Sequence, residues 1–241
     1  ITKGPRDKLH LKLPNYMSCI FTASIMAQNP IADLRRDYAM HSLSEKEVAA
    51  NPFAQFTHWW KQATEADIDE VNAMTLATIS ENGYPESRIV LLKGYDEKGF
   101  VFFTNYDSAK GNQLAAHPQC SLLLFWKELE RQVRISGVAT PIAATESDTY
   151  YHSRPVGSQI GAWASPQSKV VASKEWLEEN FVQLEKKYQG QSPIPRPPHW
   201  GGYRVEPVRI EFWQGRPSRM HDRICYTREN TTNWKIERLA P

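Results

Sequence analysis

Cysteine, net charge and long apolar runs are all scarce in this 241-residue sequence, and each scarcity excludes something. The 3 cysteines, Cys19, Cys120 and Cys225, are odd in number and far apart. They fit neither a disulfide framework nor a metal-ligand spacing, so a reducing compartment is expected and the protein reads as cytoplasmic. The 7 histidines are scattered too, and no His-Glu motif predicts a metal centre. Against 29 Lys and Arg stand 27 Asp and Glu, a net charge of +2 that gives no bulk attraction to nucleic acid or membrane. No segment approaches the ~20 apolar residues of a membrane span. Walker and Gly-x-Gly-x-x-Gly sequences are missing, as are repeats, so P-loop and Rossmann readings have no support.

Aromatic rings are plentiful: 8 Trp and 10 Tyr favour pocket walls and subunit interfaces. The 41% hydrophobic content suffices for one sizeable core. Residues 1–30 show no clean period. Their short apolar run, 19–26, is brief for a signal-peptide core. The segment therefore reads as a disordered extension, or as sequence upstream of a start at Met17 or Met26, rather than a targeting signal.

Residues 31–40 have helical spacing interrupted by Arg35, Arg36 and Tyr38. Asn51-Pro52 is a helix-start signal, and Phe53, Phe56, Trp59 and Ala63 then form one stripe, which predicts a helix over 52–65. Strands are expected at 73–80 and 86–95 around the Asn82-Gly83 hairpin signal, and at 100–105. Ser108 caps a short helix, and 120–126 and 131–140 pair next. Helices are expected at 144–153 and 173–188, the second with Trp176, Leu177, Phe181, Leu184 and Tyr188 on one side. Between them, 154–170 reads as a punctuated segment broken by Pro155 and Gly157. Strands at 203–214, 222–228 and 234–239 complete the chain. They need the earlier sheet for partners, so 31–241 reads as one domain, a mainly β (α+β), barrel-like antiparallel sheet with surrounding helices.

Candidate chemistry lies in several segments. The stretch 209–223 opens as an aromatic strand, breaks at Gly215-Arg216-Pro217-Ser218, and is expected to resume extended structure with Arg219, His221 and Arg223 on one face beside Trp213. Three potential cations on one face call for an anionic, π-rich ligand. Arg88 and Lys93 end an apolar strand, where solvent-reaching ends are the bland reading. Being five apart they point to opposite faces, so serving one ligand requires a bulge or a ligand that wraps the strand end. Phe103, Thr104 and Lys110, close to a helix start, make a plausible phosphate site. The run Glu130–Arg134 reads as a solvated strand face, although Gln132 could reach a ligand ring. Tyr150, Arg154 and Ser158 would share a helical face if Pro155 did not intervene. Ser165–Ser168 adds hydrogen-bonding groups, Gln167 and Ser168 among them.

In this order, RIVLLK (88–93), FFTN (102–105), ERQV (130–133), YYHSRP (150–155), SQIGAW (158–163), WGGYRV (200–205), EFWQGRPSRMHDR (211–223) and ERLAP (237–241) resemble the pyridoxine (pyridoxamine) 5′-phosphate oxidase family over about 31–241. The resemblance implies a split β-barrel homodimer with FMN at the interface. It implies FMN contacts from Arg88, Lys93, Phe103, Thr104, Lys110, Gln132, Gln167, Ser168, Trp213 and Arg223. The substrate phosphate would be held by Lys93, Tyr150, Arg154 and Ser158. Arg219 and His221, as the catalytic pair, would cover the pyridine ring, with Arg35 and Tyr38 closing over the site. Ala109 departs from the pattern, since the family often has Arg beside the Lys.

The implied reaction is oxidation of pyridoxine or pyridoxamine 5′-phosphate to pyridoxal 5′-phosphate by dioxygen, with release of hydrogen peroxide. Two other readings compete. One is a split-barrel flavoenzyme of another pathway, such as a phenazine-type oxidase, and the Tyr150/Arg154/Ser158 set argues against it. The other is a non-catalytic FMN or pyridoxal phosphate carrier, which has no need of the Arg219-x-His221 pair.

Overall fold

In a computed structural model, residues 36–241 are described. The readings of 1–30 and of Arg35 fall outside them. Residues 36–40, expected to be helical, carry no helix.

Helix α1 (Pro52–Glu65) starts where Asn51 accepts the Phe53 N–H at 2.8 Å and Pro52 supplies a preset φ. Its stripe of Phe53, Phe56, Trp59 and Ala63 is buried. Phe56 meets Phe100 and Tyr95 edge-on at 5.0 and 4.7 Å, and Trp59 meets Phe212 at 5.2 Å. The helix thus plugs the aromatic core of the sheet.

The sheet is antiparallel. β1 (Ala73–Ile79) and β2 (Pro85–Leu91) form the expected hairpin, its turn made by Gly83 at φ +79°. The strand expected over 86–95 is in fact two. After β2, the Leu92 N–H still bonds Asn72, but the Lys93 N–H turns to Val101, and β3 (Gly94–Asp96) pairs with β4 (Gly99–Asn105). The switch of partner supplies the bend between Arg88 and Lys93. Helix α2 (Ala109–Ala116), capped by Ser108, leads to β5 (Gln119–Trp126) and β6 (Arg131–Pro141).

Helix α3 (Ala144–Ser153) ends as expected, but a further helix, α4 (Val156–Ala164), occupies the segment read as broken. Pro155 stops one helix and, with φ −52°, starts the next. On α5 (Lys174–Tyr188) the expected stripe is shallow. Only Tyr188 is buried, in a small core with Ile160 of α4 and Ile194, while Trp176 is exposed.

β7 (Trp200–Gln214) organises the rest. One edge pairs with β6, with a register shift at Ser136/Gly137; the other pairs with β4 in its first half and β8 (Asp222–Arg228) in its second. β9 (Trp234–Arg238) lies on β8. The described residues form a nine-stranded sheet in the order β2-β1-β5-β6-β7-β4-β3, with β8 and β9 branching from β7. Tyr38–Pro241 holds together as one unit.

The strand expected to carry Arg219, His221 and Arg223 on one face is not formed. Arg219 lies in a tight turn, Pro217–Arg219, with Ser218 and Arg219 left-handed at φ 55° and 62°, and β8 begins only at Asp222. Pro217 and the break at Gly215 keep this segment out of the ladder.

Candidate active site

A cleft of about 620 Å³ opens between the end of β4, the first turn of α2 and the α3–α4 junction. It gathers residues that lie far apart in the chain. Lys93 comes from the β2–β3 link, Phe103 and Thr104 from β4, Lys110 from α2, Tyr150 and Arg154 from the end of α3, and Ser158 and Gln167 from α4 and the loop beyond it. Phe103 stacks on Tyr150 at 3.9 Å and on Trp200 at 5.4 Å. The Arg154 guanidinium lies over Trp200 at 4.6 Å, and its Nη1 is buried with no hydrogen-bond partner. Burial depresses the Arg154 pKa. A buried, unsatisfied N–H on a cation is costly, and an anion relieves that cost.

A second cationic corner lies in the same cleft. Gln167 Oε1 accepts from Lys110 Nζ at 3.1 Å and from Thr104 Oγ1 at 3.4 Å. Both donors converge on one oxygen, which is how an anion oxygen would be held. Burial lowers the Lys110 pKa, and the charge of Arg88 lowers it further. Arg88 stands behind this corner, bonded to Thr78, Gln113 and Glu86. Ser168, at φ 68°, follows Gln167.

The remaining expected residues form a separate group. Tyr38 meets Trp213 edge-on at 5.8 Å, and Trp213 lies 4.6 Å from His221. His221 Nδ1 accepts the Arg216 N–H at 3.1 Å, which leaves the proton of the neutral ring on Nε2. Burial, and then the charge of Arg219, lowers the His221 pKa. Gln132 pairs with Trp213 across β6 and β7. Arg223 donates to Glu211 at 2.8 Å and to the Ala240 carbonyl at 2.8 Å. None of Gln132, Trp213, Arg219, His221 and Arg223 lines the cleft. Phe103 faces Gly202 at one end of β7, and the strand from there to Trp213 runs about 36 Å at ~3.3 Å per residue.

The solvated face expected at Glu130–Arg134 is overturned at its start. Glu130 and Arg131 are buried, and Arg131 stacks on Trp59 at 4.5 Å while donating to Gln214 at 2.8 Å. Sequence reasoning also missed Trp200, which backs Arg154, and Gln113, which holds Arg88. The Gly201-Gly202 pair beside Trp200 was a usable signal, since a Cβ at Gly202 would come within 2.9 Å of the Phe103 ring and one at Gly201 would strike the Tyr106 side chain. Gln113 gave none.

Residues 60–188 match the family described as pyridoxamine 5′-phosphate oxidase, and residues 200–241 match the pyridoxine 5′-phosphate oxidase C-terminal dimerisation region. The chain belongs to the pyridoxamine 5′-phosphate oxidase family. The family's two segments divide most of the site as the geometry does, except that Gln132, which pairs with Trp213, falls in the first and Tyr38 in neither. Apart from Trp200, the cleft residues fall in the first, while Trp213, Arg219, His221 and Arg223 fall in the second. The pyridoxine/pyridoxamine 5′-phosphate oxidase of Synechocystis sp. is 58% identical over 88% of this chain and 98% of its own. The enzyme of the same name from Burkholderia lata is 58% identical over 88% of this chain and 99% of its own. Among solved structures, PhzG from Burkholderia lata, in complex with tetrahydrophenazine-1-carboxylic acid, superposes with a TM-score of 0.78 at 31% identity. It covers 84% of this chain and all of PhzG. Among the described residues, no helix is long and apolar enough to cross a membrane.

Proposed function

We infer that this chain is an FMN-dependent oxidase of pyridoxine or pyridoxamine 5′-phosphate, working as a homodimer in the cytoplasm with one oxidase domain over 31–241. The observation that carries the reading is the buried, unpartnered Nη1 of Arg154, backed by Trp200 and flanked in the cleft by Tyr150, Ser158 and Lys93. Those groups make a seat for a phosphate monoester. The PhzG likeness is the weaker one: within a single organism, Burkholderia lata, the named oxidase is 58% identical to this chain and PhzG 31%. The free thiols Cys120 and Cys225 suit a reducing cytoplasm.

The residues present fit FMN. Lys110 and Thr104 converge on one oxygen position and Arg88 adds charge, as a second phosphate requires, while Ile89, Val90 and Leu91 line an apolar wall for a planar ring. Arg88, Lys93, Phe103, Thr104, Lys110, Gln167 and Ser168 of one protomer would hold FMN, with Gln132, Trp213 and Arg223 brought by its partner. The chemistry supplied by bound FMN is two-electron oxidation of the substrate at C4′, the electrons passing to dioxygen as hydrogen peroxide. The protein fixes the geometry. Lys93, Tyr150, Arg154 and Ser158 grip the substrate phosphate, so that the ring lies at one depth in the cleft. Arg219 and His221 cover the ring, with His221 presenting its Nε2–H as a donor and Arg219 a charge. Tyr38 would shut water out, and Arg35 is proposed for the same role. The closing step for an amine substrate, hydrolysis to aldehyde and ammonia, needs only water admitted afterwards.

The test is direct. Purified protein is expected to be yellow and, with pyridoxine 5′-phosphate under air, to yield peroxide and an aldehyde. A yellow protein inert to that substrate but active on tetrahydrophenazine-1-carboxylic acid would establish the phenazine-type reading instead.

A further inference from the structure

We propose that Glu130 is a positioning residue: by gripping the main chain of Ala39 and Met40 it sets Tyr38 against Trp213 and His221, and so governs how tightly the substrate is covered. The proposal rests on the functional reading above, in which Tyr38 closes over the site.

Glu130 joins the turn Lys127–Leu129 to β6. Its backbone is left-handed, at φ 55°, a region few side-chain-bearing residues adopt. Such a conformation persists where the surroundings over-determine it, and here they do. The residue is 2% exposed. Its Oε2 accepts the N–H of Ala39 at 2.9 Å and of Met40 at 3.1 Å. Carboxylate-to-amide bonds of this kind are charge-assisted. Its own carbonyl accepts the Gly215 N–H at 2.8 Å and Gln214 Nε2 at 3.2 Å. One residue therefore ties the strap at 38–40 to the start of β6 and the end of β7.

Gly215 completes the seat. A Cβ there would come within 2.7 Å of Cβ and Cγ of Tyr38, so the strap fits only over a residue without a side chain. Two further ties continue the line. Arg216 Nη1 donates to the His41 carbonyl at 3.0 Å, and the Leu43 N–H donates to Asp222 at 3.1 Å. Their effect is to leave the Tyr38 ring edge-on to Trp213 and 6.1 Å from His221. Through the Ala39 and Met40 amides, Glu130 acts on Tyr38 by way of the strap. A plain structural staple would lower stability and FMN retention along with activity. A positioning residue would change substrate affinity through Tyr38.

In holoenzyme, Glu130→Gln keeps the shape and gives up the charge. Amide exchange is expected to accelerate in the 38–43 peptide alone, with FMN retained. KM for pyridoxine 5′-phosphate is expected to rise about tenfold, the scale of one charge-assisted bond, with kcat changed less. In a Tyr38→Ala background the same substitution is expected to shift KM by less than about twofold, since the two residues act as one unit. Gly215→Ala presses on Tyr38 without touching the Glu130 carboxylate and is expected to reproduce the KM effect. It keeps the proposal testable if the Glu130 variant fails to fold. A wild-type KM in Glu130→Gln, or an equal KM rise with and without the Tyr38 ring, overturns the proposal. Wild-type protein inert to pyridoxine 5′-phosphate overturns the functional reading instead, and the exchange rate at 38–43 still decides whether Glu130 holds the strap.

Discussion

Arg154 lies over Trp200 with Nη1 buried and unpartnered, and burial lowers its pKa, so an incoming phosphate restores what burial removed. Arg154→Ala is expected to raise KM for the phosphorylated substrate about 10- to 100-fold, at ~1.5–3 kcal/mol per charged bond, with FMN still bound. Arg154→Lys is expected to recover little, because a point charge cannot both lie on the indole and offer a fork of donors. His221 carries a pH prediction. Burial first, and Arg219 second, hold its pKa below the ordinary 6.5, so it is neutral in the folded protein at neutral pH. Below pH 6.5 the unfolded chain takes a proton the folded one refuses. The His221 contribution to stability is therefore complete above 6.5 and lost as pH falls through that value towards the folded pKa. Arg219→Met removes the charge, so the acid limb of the kcat/KM profile is expected to move towards higher pH. An unmoved limb would assign that inflection to another group. Ala109, exposed at the first turn of α2 two residues from Gly111, leaves room for a third cation beside Lys110. Ala109→Arg is expected to tighten FMN by ~1.5–3 kcal/mol, about tenfold or more in Kd, read by flavin titration of the apoprotein.

At the scale of elements, helix starts are where local sequence speaks most clearly. Asn51 caps α1 through one bond to the Phe53 N–H, and Asn51→Ala is expected to cost ~1 kcal/mol, a fall of about 2–4 °C in Tm for a domain of this size. The same local logic made α1, α2, α3 and most strands legible, because caps, Asn-Gly and period-two alternation are written within a few residues. Three features were not legible, each for a physical reason. The β2–β3 break depends on Lys93 choosing Val101 as its partner, a tertiary choice that no alternation pattern encodes. Helix α4 was hidden because Pro155 reads as a stop, although the same fixed φ starts a helix. The left-handed turn at Ser218 and Arg219 took Arg219 and His221 off the strand to which spacing assigned them. The cleft residues were picked out by motif, but their convergence comes from the sheet. Lys93 lines the cleft while Arg88 stands behind its Lys110 corner, and the chain bends between them. The burial of Arg131 and Glu130 was likewise invisible, since charged residues on a strand ordinarily face water.

The whole molecule poses a question of distance. The phosphate-gripping cleft lies beside the first half of β7, and the Trp213–His221 group beside its far end, about 36 Å of strand away at ~3.3 Å per residue. In a two-fold dimer each patch meets its counterpart twice, so the cleft of one protomer can be completed by the far group of its partner. The dimerisation match over 200–241 covers that far group. A mixing experiment follows from this arrangement. Arg154→Ala spoils the cleft and Arg219→Ala spoils the covering group, so with substrate below the wild-type KM each homodimer is expected to be nearly inactive. A heterodimer of the two places both lesions in one site and leaves the other site wild type. Random reassociation makes half the dimers mixed, and activity is expected to return to about a quarter of the wild-type level. Were each site built within a single protomer, every site in the mixture would still carry a lesion, and no activity would return. The recovery, read as peroxide formation after unfolding and co-refolding with FMN, thus measures directly whether two chains share each site.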